Sequence, residues 1–169
     1  MNATADSGQA VFTYGSLMFA PVWQTVCEGQ YQSTPATLKG YTRCCVRGES
    51  YPAAIAASPA DEIVGLVYFN VSAADLLRLD QFEGTEYTRR EQEVAVSGAE
   101  VGAGVGAGAG ALDRELLHSP SISALFYEFN DHARVEQSPW NVNAFATVGI
   151  KAFLARHVQG FIQTGSRQS

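Results

Sequence analysis

The chain has 169 residues, 46% hydrophobic and 17% charged, a balance suited to one domain with a substantial core and unlike that of a disordered segment. A net charge of −6 offers no basic footprint for nucleic acid or an anionic membrane surface, and no apolar run approaches the ~20 residues of a membrane span. Three cysteines (Cys27, Cys44, Cys45) without CxxC spacing fit a reduced, cytoplasmic chain, as does an N-terminus lacking the regions of a signal peptide. His118, His132 and His157 show no HxxxH or HxH spacing, so no histidine metal site is expected.

Residues 1–9 read as a polar tail and 165–169 as another, leaving 10–164 as a single domain. Ala10–Thr13 reads as a first strand, and Tyr14-Gly15-Ser16-Leu17 as the tight turn that ends it. Gly15 has no Cβ, so a ligand can approach closely there, and successive N–H groups in such a turn form a small anion-binding concavity. A turn of this kind is also a common plain connection. Pro21 suits the first turn of a short helix through Val22, Trp23, Val26 and Cys27, stopped at Gly29. Strand patterns follow at 36–39, 41–46, 51–56 and 63–69, with Pro52 suiting an edge strand or a strand start. Adjacent Cys44 and Cys45 then point to opposite faces.

Ser72-Ala73-Ala74-Asp75 has the spacing of a capping box. The helix it opens carries Leu76, Leu79 and Phe82 on one face and stops near Gly84, and a strand runs from Thr85 to Val96. Residues 97–120 contain a Gly/Ala tract that reads as an inserted surface loop. Gly106, Gly108 and Ala111 fit a relaxed dinucleotide fingerprint, as any tract with glycine at alternate positions does, but no βαβ unit surrounds them. Ile122–Phe129 is a further strand, and Ser138-Pro139 reads as the start of a C-terminal helix interrupted near Gly149. These elements describe an α+β domain on a mixed, strongly curved sheet or small barrel with flanking helices.

The richest chemistry lies in Leu79-Asp80-Gln81-Phe82-Glu83-Gly84-Thr85-Glu86-Tyr87-Thr88-Arg89. On one reading Asp80, Glu83 and Glu86 are solvated charges at a helix end. On the other, one carboxyl sits in an apolar cleft, where its pKa rises towards neutrality and it shuttles protons. Glu83 suits that role, because it follows Phe82 where the helix gives way and Gly84 lets the backbone bend away. Asp80 is shorter and one turn earlier, and Glu86 has Arg89 or Arg90 as an expected partner. Cys27 has no histidine placed beside it by any motif and is read as core.

Taken together, Tyr14-Gly15-Ser16-Leu17, Gly40-Tyr41-x-Arg43, Gly48-x-x-Tyr51-Pro52-Ala53, Val64-Gly65-Leu66-Val67-Tyr68 and Leu79-Asp80-x-Phe82-Glu83-Gly84-x-Glu86-Tyr87-x-Arg89 resemble the γ-glutamylcyclotransferase-like family. The nearer resemblance is to its AIG2-like branch, which includes γ-glutamylamine cyclotransferases; it covers residues 10–96 well and 121–161 loosely. It implies a small mixed β-barrel and a reaction in which the α-amine of a γ-glutamyl group attacks the γ-carbonyl, releasing 5-oxoproline and an amine or amino acid. Glu83 matches the catalytic glutamate, and Tyr14, Gly15, Ser16 and Leu17 match the substrate-binding loop. Tyr87 and Tyr127 are further candidates to line the cleft and bond Glu83 or substrate, unless they are simply buried tyrosines with satisfied hydroxyls. Arg89 either positions the loop or pairs with Glu86, and Tyr51 with Pro52 shapes the cleft wall. The partner implied is a small γ-glutamyl compound, with no metal or cofactor. A non-catalytic module holding a small carboxylate, or a γ-glutamyl-deprotecting step in a biosynthetic pathway, are the alternatives on the same fold.

Overall fold

Alternation along the strands sorts their side chains between two cores, and that sorting builds the domain. In the computed structural model, which describes residues 7–97 and 120–158, the strands are β1 (Gln9–Thr13), β2 (Ser33–Lys39), β3 (Tyr41–Val46), β4 (Pro52–Ala56), β5 (Glu62–Val71), β6 (Tyr87–Val96), β7 (Ser121–Phe129) and β8 (Val135–Pro139). Five of them close a barrel in the order β1-β5-β2-β6-β7. Its ladders are antiparallel except at the closure, where β1 lies parallel to β7 with Val11 opposite Leu125. Phe12, Tyr14, Leu38, Ile63, Val67, Val94 and Phe126 fill the barrel, whereas Val11, Tyr68 and Val71 face outward into a second core under the helices. The small mixed barrel with flanking helices expected from the sequence is the observed architecture.

Two helices cover the outer face. α1 (Ala20–Val26) has Pro21 in its first turn, where a missing N–H costs nothing, and buries Val22, Trp23 and Val26. α2 (Ala73–Glu83) is capped by Ser72, whose hydroxyl accepts the Asp75 N–H at 3.2 Å, and buries Leu76 and Leu79. Asp75 is itself buried and ties the two helices together. It accepts the N–H groups of Glu28 and Gly29 at 3.0 and 2.9 Å and the Tyr31 hydroxyl at 2.6 Å. Burial opposes its charge, but the Tyr31 hydroxyl, those amides and Arg78 outweigh it and hold the carboxyl below its usual range.

The remaining strands form a second sheet of order β4-β3-β8. Pro52 opens an edge strand, as its missing N–H requires. The expected helix start at Ser138-Pro139 is corrected: both residues belong to β8, the other edge of that sheet, with Pro139 opposite Cys44. A proline at the end of an edge strand leaves no ladder donor missing, so the same residue suits either element. The cap lies at Asn141, whose side chain accepts the Ala144 N–H at 2.9 Å. From there an α turn (Val142–Ala144) passes through a π-helical stretch (Phe145–Gly149), a second α turn (Ile150–Phe153) and a second π-helical stretch (Leu154–Val158). The irregularity expected at Gly149 is therefore a widened helical turn rather than a break. Phe145 and Phe153 pack on Phe19, Phe82 and Trp140.

β1 begins at Gln9, within the stretch read as a tail. The Gly/Ala loop from residue 98 to 119 and the tail at 165–169 lie outside the described residues. Among the described residues no helix is long and apolar enough to cross a membrane.

Candidate active site

The candidate residues come from the turn leaving β1 and from the end of α2, and Tyr14 of the first feels the charge of Glu83 in the second. Glu83 is the last residue of α2, and Gly84 takes the chain out of the helix at φ 65° and ψ −154°, a conformation that residues with a Cβ adopt only under strain. A 3-10 turn (Gly84–Glu86) then feeds β6. The Asn130 N–H donates to the Glu86 carbonyl at 2.9 Å, and its side-chain amide donates to the Thr85 carbonyl at 3.0 Å, which fastens this turn to the end of β7.

Asp80, Glu83 and Glu86 are three residues apart, yet their surroundings differ. Asp80 accepts the Tyr127 hydroxyl at 2.8 Å and Arg89 Nη1 at 2.8 Å. Glu86 accepts the Tyr51 hydroxyl at 2.7 Å and pairs with Arg134. The expected pairing of Glu86 with Arg89 or Arg90 is corrected: Arg89 is taken by Asp80, and Arg90 reaches Glu128 across the β6–β7 ladder at 3.0 Å. Glu83 has no hydrogen bond or ion pair among the described residues. The residue is half-buried, and that burial followed by the charge of Glu86 pushes its pKa up to about 8. Glu86 moves the other way: burial resists its charge, but Tyr51 and Arg134 overcome that and lower its pKa.

Three tyrosines feel the charge of Glu83. Burial is the main cause that raises the Tyr14, Tyr87 and Tyr127 hydroxyls, and Glu83 adds to it in each case. Their hydroxyls are nevertheless committed to other acceptors. Tyr14 donates to the Tyr127 carbonyl at 2.5 Å, Tyr127 to Asp80, and Tyr87 to the Pro52 carbonyl at 2.8 Å. Tyr87 and Tyr127 thus feel the charge of Glu83 without bonding it. Arg89 stands behind Asp80, rather than on the loop or on Glu86.

The expected loop is built for close packing. Gly15 faces the Pro52 ring so tightly that a Cβ would lie 2.8 Å from Pro52 Cγ and Cδ. Ser16 and Leu17 are buried in a 3-10 turn (Ser16–Met18), closed by the Met18 N–H donating to the Gly15 carbonyl at 3.0 Å. The N–H groups that open such a turn have no partner within it, which leaves them to an external acceptor. Arg43 Nη1 donates to the Tyr14 carbonyl at 2.9 Å, and the guanidinium lies 5.5 Å from the centre of the Trp140 ring. Arg43 was visible only as part of a motif, and Arg134 had no sequence signal. Cys27 is buried in the helix-side core, where burial and then Asp75 push its thiol up to about 12, in keeping with a core role. Among the described residues no group of three or more His, Cys, Asp or Glu is placed to hold a metal ion.

The sequence model of the family described as "Gamma-glutamyl cyclotransferase, AIG2-like" matches residues 11–141. "AIG2-like protein D" of Arabidopsis thaliana is 36% identical over 88 residues, 52% of this chain and 57% of that protein. "Protein AIG2 C" of the same plant is 33% identical over 94 residues, 56% of each. The matched segment thus spans little more than half the length of these curated relatives. Among solved structures, an Arabidopsis thaliana protein superposes with a TM-score of 0.62 at 21% identity, covering 99% of this chain and 90% of the other. A yeast γ-glutamyl cyclotransferase specific to glutathione superposes with a TM-score of 0.57 at 16% identity, covering 94% and 95%. Both structural likenesses speak for the fold, and the sequence match adds the lineage. The chain belongs to the γ-glutamyl cyclotransferase, AIG2-like family.

Proposed function

We propose that the protein is a cytoplasmic γ-glutamyl cyclotransferase-type enzyme that closes 5-oxoproline from a γ-glutamyl compound, with Glu83 as the proton carrier. The observation that carries this reading is the half-buried Glu83 carboxyl, which has no hydrogen bond or ion pair among the described residues, between two carboxylates that are each bound to a tyrosine and an arginine. The substrate enters as an α-ammonium, which is not a nucleophile. Glu83 takes one proton from it, and the freed amine attacks the γ-carbonyl carbon. The ring C–N bond forms, the tetrahedral centre collapses, and the bond to the leaving nitrogen breaks as that nitrogen is protonated. Two of the three ammonium hydrogens end on the leaving amine, one of them by way of Glu83, so no water or co-reactant is consumed.

The proton affinities match. A Glu83 pKa of about 8 lies beside the roughly 7.7–8.0 of an α-amino group, so the first transfer is close to thermoneutral. An ordinary glutamate near 4.3 would face an uphill transfer of about 5 kcal/mol. The loop at Tyr14–Leu17 supplies the other requirement: its N–H groups bind the glutamyl carboxylate and steady the γ-carbonyl oxygen, which orients the chain for a five-membered ring closure. Tyr87, Tyr127 and Arg89 serve as walls and supports of the cleft, and the catalytic unit is the domain over 10–164. Cys27, Cys44 and Cys45 as free thiols accord with a reducing compartment.

The test is 5-oxoproline release from a panel of γ-glutamyl amino acids and γ-glutamyl amines, for wild type and Glu83→Gln together. Glu83→Gln keeps the shape and removes the base, so turnover should fall by about 10²–10⁴-fold or more. Turnover that survives the substitution excludes Glu83. A folded wild type that binds the panel without turnover is a binding module.

A further inference from the structure

The guanidinium of Arg134 meets the site from a part of the chain to which no role has been assigned. It lies in a 3-10 turn (His132–Arg134) between β7 and β8, and is held there at both ends of its backbone. Its N–H donates to the Asp131 carbonyl at 3.0 Å, and its carbonyl accepts the Arg47 N–H at 2.8 Å. One guanidinium nitrogen pairs with Glu86 Oε1, and the other reaches Glu49 Oε1 at 3.4 Å. The second Glu86 oxygen accepts the Tyr51 hydroxyl. Tyr51 in turn meets the His157 ring edge-on at 5.7 Å between centres. Glu86 is therefore fixed by two donors from different parts of the second sheet, and its own turn is fastened to β7.

We propose that the Glu86–Arg134 pair, anchored by Tyr51, is a positioning device that sets how much negative charge faces Glu83 and thereby the protonation state in which Glu83 meets the substrate. This rests on the reading of Glu83 as the proton carrier. Arg134 is shared between two carboxylates, so it cancels only part of the charge of Glu86. The remainder lies three residues from Glu83, across the turn at Gly84, where a like charge raises the proton affinity of a carboxyl. Among the described residues, the hydroxyls of Tyr14, Tyr87 and Tyr127 also feel Glu83 and are uncharged at neutral pH, and Asp80, three residues earlier, is paired with Arg89. Glu86 also faces Tyr87, and His157 from the C-terminal helical segment. Glu86 and Arg134 touch no reacting atom in this scheme. They act through Glu83.

The two members must shift Glu83 in opposite directions. Glu86→Gln removes a like charge and lowers the Glu83 midpoint; Arg134→Met uncovers the charge of Glu86 and raises it. The experiment is an NMR titration of the Glu83 side-chain carboxyl carbon in ¹³C-glutamate-labelled protein without substrate, with Glu83→Gln providing the assignment. The expected result is a fall of about one pH unit in Glu86→Gln, a roughly tenfold weaker proton affinity, a rise in Arg134→Met, and a return towards wild type in Arg134→Lys. A midpoint unchanged in Glu86→Gln overturns the proposal on its own, whether or not Arg134→Met folds. Shifts of the same sign in both variants overturn it as well, because a loosened site moves both alike. The midpoints are read without turnover, so a wild type inactive on every γ-glutamyl compound refutes the assigned reaction and leaves this result standing.

Discussion

Glu83→Gln has a second consequence, opposite in sign to its effect on turnover. Burial and Glu86 push the Glu83 pKa up to about 8 in the folded chain from its ordinary 4.5, so folded and unfolded states bind its proton differently over that whole interval. Below 4.5 the carboxyl is protonated in both states and burial carries no charge penalty. As pH rises past 4.5 the unfolded chain releases the proton while the folded chain keeps it, and wild type loses stability at about 1.4 kcal/mol per pH unit. The loss is complete once pH passes the folded value near 8, where it amounts to at most about 5 kcal/mol. Glutamine carries no charge and escapes this term, while the other titrating groups are common to both proteins and largely cancel in the difference. The assay is urea denaturation of wild type and Glu83→Gln at intervals from pH 4 to pH 9, read as the difference in unfolding free energy. The gap should be smallest near pH 4.5 and widen to favour the variant by several kcal/mol at pH 8 and above. In thermal unfolding that is about 2–4 °C for each kcal/mol in a chain of this size. A gap that stays level with pH, or that favours wild type at alkaline pH, would refute the claim that burial and Glu86 raise this carboxyl. The chain would then be holding an ordinary glutamate.

Two further substitutions probe the frame of the site. Gly84→Ala meets no atom within 4 Å of the new Cβ, so its cost is the left-handed backbone alone, about 1–3 kcal/mol in urea denaturation. Turnover should fall by more than this destabilisation explains, because Gly84 sets the direction in which the chain leaves Glu83. Tyr127→Phe removes the hydroxyl bonded to Asp80 but keeps the backbone carbonyl that accepts from Tyr14, and should lower stability by about 1–3 kcal/mol. A Tyr127→Phe protein as stable as wild type would mean that Arg89 alone satisfies Asp80.

The parts of the fold that were legible in the sequence are those whose signals are local. Pro21 in the first turn of α1, Ser72 capping Asp75, and Gly84 ending α2 each report a backbone need met within a few residues, and each stands where its sequence predicts. Apolar character at 10–13 and 63–69 likewise marked the strands β1 and β5. It did not show that β1 closes the barrel against β7, a contact between residues more than a hundred positions apart. Pro139 misled because its missing N–H suits a helix start and the end of an edge strand equally, and only the pairing with Cys44 decides between them. β8 is otherwise polar, Val135-Glu136-Gln137-Ser138, so it carries no apolar alternation to announce a strand.

The same division explains what the sequence could say of the site. Asp80, Glu83 and Glu86 are a run of acids at equal spacing on one helix end, and nothing in that run ranks them by proton affinity. Gly84 and Phe82 single out Glu83 only as the residue at the bend. The ranking comes from partners brought in by tertiary structure. Asp80 is held by Tyr127, 47 positions away, besides its nearer arginine, and Glu86 by Tyr51 and Arg134, 35 and 48 positions away. Each of those contacts stabilises a charge that would otherwise be costly to enclose, and so commits its carboxylate to staying ionised. Among the described residues Glu83 has no such donor, which is what sets it apart as the proposed proton carrier. The proposed carrier is thus set apart by its surroundings rather than by its own identity, and Arg134, which pairs with its neighbour Glu86, lies on a turn that no motif marks.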